Sequence, residues 1–262
     1  MTTPISWFDV LERVRPALGI TLTLGDPTVA EAVAASGADW LMADLEHTGL
    51  TTRDIEGITL AAQVVGVPVL ARVAENRLDD VQHALDAGAA GVIVPRVSSA
   101  AEARRALSYA RYPPDGARGF GPRRANQYGK DPTYVERANR DIALIVQVET
   151  AGAVADLDEI VQVPLSAVYV GPNDLAASLG YIGQPGHPEV VKAIERIIDT
   201  ARGAGMQVGV AIGDAAGARQ YVERGASFLG VGGDIWLLSG AVGSLVASHR
   251  TASEWAGGRT SY

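Results

Sequence analysis

The sequence predicts an α/β fold, a single-domain (β/α)8 TIM barrel. Eight short apolar runs recur along its 262 residues, at 19–24, 40–43, 68–73, 91–94, 142–148, 167–171, 207–212 and 227–231. Segments with apolar residues at helical spacing separate them, among them 52–65, 78–87, 100–110 and 188–204. The runs lack clean alternation, as expected for parallel strands buried on both faces. Eight strand–helix repeats in a chain of this length read as a closed barrel. The competing open doubly wound sheet is weakened because no Gly-rich dinucleotide fingerprint follows the first run.

The junctions between elements carry their own signals. Gly37, Gly66, Gly88, Gly205 and Gly225 stand just ahead of predicted strands, where a left-handed glycine ends a helix. Residues 112–140 form a long polar insertion after the fourth helix, and long loops of this kind commonly act as lids or binding loops. Residues 251–262 read as a polar tail.

Composition excludes several classes. The chain has no cysteine, so disulfides, thiolate nucleophiles and Cys-ligated zinc are out. A net charge of −8 argues against nucleic acid or an anionic membrane as partner. No apolar run approaches the roughly 20 residues of a membrane helix. The N-terminus lacks the basic start and apolar stretch of a signal peptide, so a cytoplasmic enzyme is the expectation.

In such barrels the active site forms where the strands end. Those ends read Asp44-Leu45-Glu46-His47, Arg72, Gln147-Val148-Glu149, Gly171-Pro172-Asn173-Asp174, a stretch near Asp214, and Gly232-Gly233-Asp234. Glu149 and Asp174 are one strand–helix unit apart. Neighbouring parallel strands lie about 4.8 Å apart, so both carboxylates emerge at one edge, close enough to share one hard cation such as Mg²⁺ or Mn²⁺. A cation there suits chemistry beside a carbonyl: it would chelate a 2-keto acid and act as a Lewis acid. Arg72 would stabilise the resulting enolate, and His47, oriented by Asp44, would move the proton. The turn at Gly171, Pro172, Asn173 and Asp174 opens a helix whose free N–H groups suit a substrate carboxylate. Only two lysines occur, Lys130 in the insertion and Lys192 in a helix, which argues against an imine-forming mechanism. Glu46 reads as a supporting residue, and Asp86, His83 and His187 as structural.

These strand ends sit in a set of motifs: ADWLMADLEH (38–47), PVLARV (68–73), GAAGVIVPRV (88–97), RYPPDGARGFGP (111–122), VQVET (146–150) and VGPNDLAASLGY (170–181). Over about residues 16–245 the chain resembles the HpcH/HpaI aldolase family of class II, metal-dependent pyruvate aldolases. The resemblance implies that Glu149 and Asp174 bind a divalent metal, Mg²⁺, Mn²⁺ or Co²⁺. It implies that Arg72 contacts the pyruvyl carbonyl oxygen, and that His47, paired with Asp44, works through a metal-bound water as base and acid. Gln147 matches the pyruvate pocket, and the backbone of Asn173 and Asp174 matches the part that receives the pyruvate carboxylate. It further implies a homo-hexamer, a trimer of dimers with exchanged C-terminal helices. The expected reaction is cleavage and formation of 4-hydroxy-2-keto acids, with pyruvate and an aldehyde as partners.

The first strand lacks the aromatic residue that some relatives carry, and the stretch 119–130 is more basic than in some members. Arg123 and Arg124 of that stretch are the expected cations for an aldehyde with a polar or anionic end, reaching their own or a neighbouring site. Two alternatives stand beside this reading. A CoA-thioester lyase of the malyl- or citramalyl-CoA type would need a basic groove, which this acidic chain does not show clearly. A non-catalytic 2-keto acid binding barrel would have no use for a complete set of metal, base and enolate groups.

Overall fold

The computed structural model describes residues 6–213 and 215–256, so Asp214 and residues 257–262 lie outside the described residues. Among the described residues there are eight strands: β1 (Ala17–Leu22), β2 (Trp40–Asp44), β3 (Val69–Arg72), β4 (Gly91–Val94), β5 (Ala143–Val148), β6 (Ala167–Val170), β7 (Gln207–Ala211) and β8 (Phe228–Gly233). They close in sequence order into an all-parallel barrel, with β1 paired to both β2 and β8. Helices connect successive strands on the outside. None of the described helices is long and apolar enough to cross a membrane.

β1 starts and ends two residues earlier than the apolar run suggests. The reason lies across the barrel seam. The Asp234 carboxylate accepts from the backbone N–H groups of Thr23 and Leu24 and from the Thr23 hydroxyl, so these residues leave the ladder to be tied to the end of β8.

Side chains alternate between two cores, as the two-residue strand period requires. Leu41, Ala43, Val69, Ala71, Leu144, Val146 and Val148 face outward into the layer between strands and helices. Trp40, Met42, Leu70, Ile93, Ile145, Tyr169 and Phe228 face inward. Tyr169 and Phe228 stack with centroids 5.7 Å apart, and Trp40 meets both edge-on. Gly19 and Gly209 make room for them: a Cβ there would lie 2.1 Å from Trp40 and 2.2 Å from Phe228. The helix Trp7–Arg13 closes this lower end, with Trp7 edge-on to Phe228 at 5.1 Å.

The insertion is not only loop, since residues Tyr134–Asp141 form a helix. Its ties run to the neighbouring helices: Gly119 donates to Gln82, Arg118 to Asp86 and Arg124 to Gln63. The final helix, Asp234–Ala256, takes in residues 251–256 of the expected polar tail. It leaves Trp236, Leu238, Val242 and Leu245 at least half exposed.

Candidate active site

The inward series of each strand continues past the aromatic layer into charge. On β2, Trp40 and Met42 are followed by Asp44; on β3, Leu70 by Arg72; on β5, Ile145 by Gln147 and then Glu149. β2 and β3 set Asp44 opposite Arg72 in register. The guanidinium donates twice to the carboxylate, from Nε to Oδ1 at 2.9 Å and from Nη2 to Oδ2 at 2.8 Å. Burial lowers the Arg72 pKa, but the Asp44 hydrogen bonds and charge outweigh it, so the group stays cationic.

Asp44 also accepts from the backbone N–H of Glu46 at 3.0 Å and of His47 at 3.4 Å. This corrects the expected pairing of Asp44 with the His47 ring. The cross-strand register gives the carboxylate to Arg72, and the His47 ring is exposed with Nε2 3.6 Å from Glu46 instead. Glu46 supports both neighbouring arginines, in keeping with its reading as a supporting residue: its carboxylate is 3.4 Å from Arg72 Nη1 and 3.4 Å from Arg96 Nε. Burial pushes the Glu46 carboxyl above its ordinary range, against the pull of Arg72, His47 and Arg96.

Glu149 is 1% exposed. Its Oε1 accepts from the Arg96 backbone N–H at 2.8 Å, and its Oε2 from the Gln147 amide. Burial pushes its pKa up to about 7; the two hydrogen bonds oppose this, while the charges of Asp174 and Glu46 add to it. Asp174 stands in the first turn of the helix Pro172–Ser178, and that helix begins with no side-chain cap at Gly171. A Cβ at Gly171 would lie 2.7 Å from Glu149 Oε2, so only glycine leaves this wall bare. Gln147 Oε1 is buried and finds no hydrogen-bond partner among the described residues.

A divalent cation fits this donor set. A buried carboxylate, a second one in electrostatic reach and an unpartnered amide oxygen are hard oxygen donors in a negative field. Among the described residues no cluster of three or more His, Asp or Glu side chains forms a closed metal cage.

The structure thus gathers Asp44, Arg72, Gln147, Glu149, Gly171 and Asp174 at one end of the barrel, with His47 on the rim. It does not bring Arg124 there within the chain. Arg124 donates to Gln63 at 3.0 Å, near the end of the helix Thr52–Val65, and packs against Gly88 ahead of β4. Both neighbours lie where strands begin, at the opposite end. Arg123 flanks it and is exposed. Sequence reasoning missed Arg96, which holds Glu149 through its backbone and Glu46 through its side chain. Its place directly after β4 was the available signal.

Residues 18–241 match the family described as HpcH/HpaI aldolase/citrate lyase. A 2-dehydro-3,6-dideoxy-6-sulfogluconate aldolase of Pseudomonas putida is 36% identical over 241 residues, covering 91% of this chain and 94% of its own. A 4-hydroxy-2-oxo-heptane-1,7-dioate aldolase of Shigella sonnei (strain Ss046) is 38% identical, covering 90% of this chain and 92% of its own. A crystal structure of an HpcH/HpaI aldolase/citrate lyase family protein from Burkholderia cenocepacia J2315 superposes with a TM-score of 0.86 at 36% identity, covering 92% of this chain and 99% of that one. The closed barrel and the near full-length relatives agree: the chain belongs to the HpcH/HpaI aldolase/citrate lyase family and is a carbon–carbon lyase of the aldolase type.

Proposed function

We propose that the enzyme cleaves 4-hydroxy-2-keto acids to pyruvate and an aldehyde, and runs the addition in reverse, with a divalent cation held by Glu149 and Asp174. One observation carries this reading. Glu149 is buried in the negative field of Asp174 and Glu46 and is pushed up to about 7, and a dication beside it would offset both its burial and that repulsion. When bound, such a cation chelates the 2-keto acid and acts as a Lewis acid on its keto group.

The chain's own residues supply the rest. Arg72, held in place by Asp44, offers N–H donors to the oxygen on which enolate charge collects. His47, on the rim beside Glu46, takes and returns the proton. The uncapped first turn at Asn173 and Asp174 receives the substrate carboxylate, beside Gly171 and Pro172. Gln147 lines the pyruvate side and orients Glu149.

The enzyme works as a homo-hexamer, a trimer of dimers with exchanged C-terminal helices. Two features support this. The final helix exposes Trp236, Leu238, Val242 and Leu245. On the barrel wall a cavity of about 390 Å³, lined by Leu18, Ile20, Val33 and Val231, stays open beside β1 and β8, where an eighth barrel helix would pack.

The test is pyruvate release from a 4-hydroxy-2-keto acid, with Mg²⁺ and with chelator. Release only with metal is the expected result. No release under either condition overturns the proposal, and release that requires a CoA thioester favours the thioester lyase instead.

A further inference from the structure

With Arg124 at the far end of the barrel, the mouth of the site keeps another cation whose side chain the chemistry above does not use. Arg96 is the second residue past β4, exposed between the buried Pro95 and Val97. Its φ is 53°, in the left-handed region that residues with a side chain rarely adopt. Its backbone N–H is the one that donates to Glu149 Oε1 at 2.8 Å. A glycine would offer the same N–H at this φ without strain. The strain is therefore to be set against what the side chain does.

That side chain crosses the mouth. It starts beside Glu149, and its guanidinium reaches the ends of β2 and β3. Nε lies 3.4 Å from Glu46 Oε1, and Nη2 donates to the Ala74 carbonyl at 3.2 Å. Glu46 meets Arg72 on its other oxygen, with Oε2 3.4 Å from Nη1. One carboxylate thus separates two guanidinia, and their surroundings differ. The Arg72 side chain is 13% exposed and is gripped twice by Asp44. The Arg96 side chain is 59% exposed, and its Nη1 makes no bond among the described residues. Glu46 does not depend on it: Arg72 and then His47 draw the Glu46 carboxyl down more than Arg96 does. An ion pair this open to water contributes little by itself.

We propose that Arg96 determines the acceptor: its unbonded edge receives a carboxylate at the far end of the aldehyde. This inference deepens the aldol reading of the site and rests on it. The enolate forms beside Arg72, and the aldehyde must meet it there. The guanidinium on the opposite oxygen of Glu46 stands a short step away toward solvent, where the tail of a short aldehyde emerges. Its planar N–H donors match a carboxylate. Glu46 and the Ala74 carbonyl hold Arg96 before any aldehyde arrives, so little ordering is left for binding to supply. An uncharged tail gains no such contact.

The test compares one aldehyde with and without its charge, 4-oxobutanoate and its methyl ester, each added to pyruvate by the intact enzyme with Mg²⁺. Arg96→Gly removes the side chain at a φ that glycine accepts, so the backbone bond to Glu149 stays. KM for 4-oxobutanoate should rise on the order of 10-fold or more, the scale of a hydrogen bond between charged groups. KM for the ester should move far less. Arg96→Lys should recover part of the loss, since it restores the charge without the fork. An equal rise for both aldehydes would overturn the proposal and leave Arg96 a support for Glu46. Exchange of the pyruvate methyl protons by the wild-type enzyme is the control. If exchange is absent, the aldol reading falls and this inference with it. If exchange is present but the wild-type enzyme shows no preference for the charged aldehyde, only the role of Arg96 falls.

Discussion

Trp40 and Asp44 point into the same barrel from the same strand, one above the other, and they meet opposite surroundings. At the lower level Trp40, Tyr169 and Phe228 fill the interior, and glycines on β1 and β7 let the rings meet. At the upper level Asp44, Arg72, Gln147 and Glu149 continue the same inward series with charge and amide. The lower layer gains stability by burying apolar area. The upper layer spends some of it, because a buried carboxylate such as Glu149 is unfavourable until something positive faces it. One strand period therefore serves packing at one end and chemistry at the other. The rigid plug below is what lets the charges above stay desolvated.

Substitutions at the two levels should separate cleanly. Glu149→Gln or Asp174→Asn keeps shape and removes a charge, so turnover should fall on the order of 10³-fold, the upper range for losing one electrostatic contact to a transition state. Thermal melting should change little, since relief of burial and of the repulsion between Glu149 and Asp174 offsets the weakened hydrogen bonds to Glu149 from Arg96 and Gln147. A variant that unfolds instead would make the upper layer structural. Arg72→Lys keeps the charge but loses the planar fork that Asp44 grips. Steady-state kinetics should show a loss of about 10²-fold; near-normal turnover would reduce Arg72 to an ion-pair partner.

The lower layer should answer the other way. Phe228→Ala removes the ring against which Trp7, Trp40 and Tyr169 pack. Denaturant unfolding should report a loss of about 3–5 kcal/mol, with turnover of the folded fraction largely kept. Gly19→Ala should cost less, about 1–3 kcal/mol, because its methyl group would press into the Trp40 ring. A large change in substrate affinity from either variant would erase the distinction between the layers.

Much of this was legible in the sequence, and the misses share a cause. The apolar runs located all eight strands, because burial on both faces leaves few polar residues inside a strand. Strand ends then named Asp44, Arg72, Glu149 and Asp174 as neighbours. Lateral relations were only partly legible. Asp44 and His47 are close in sequence, but the register of β2 against β3 gives the carboxylate to Arg72. Arg96 was passed over because part of its role belongs to a backbone N–H, held at a φ of 53° that no local pattern announces. The basic residues of the insertion looked like partners for substrate. Which end of the barrel Arg124 reaches depends on Gln63 and Gly88, far away in sequence.

The most direct measurement is exchange of the pyruvate methyl protons in D₂O, followed by NMR with Mg²⁺ and again with chelator. It isolates enolate formation from any choice of aldehyde. The account predicts rapid exchange with metal, none above background with chelator, and none in Glu149→Gln. Equal exchange with and without chelator would contradict it, and so would unimpaired exchange in the Glu149→Gln variant.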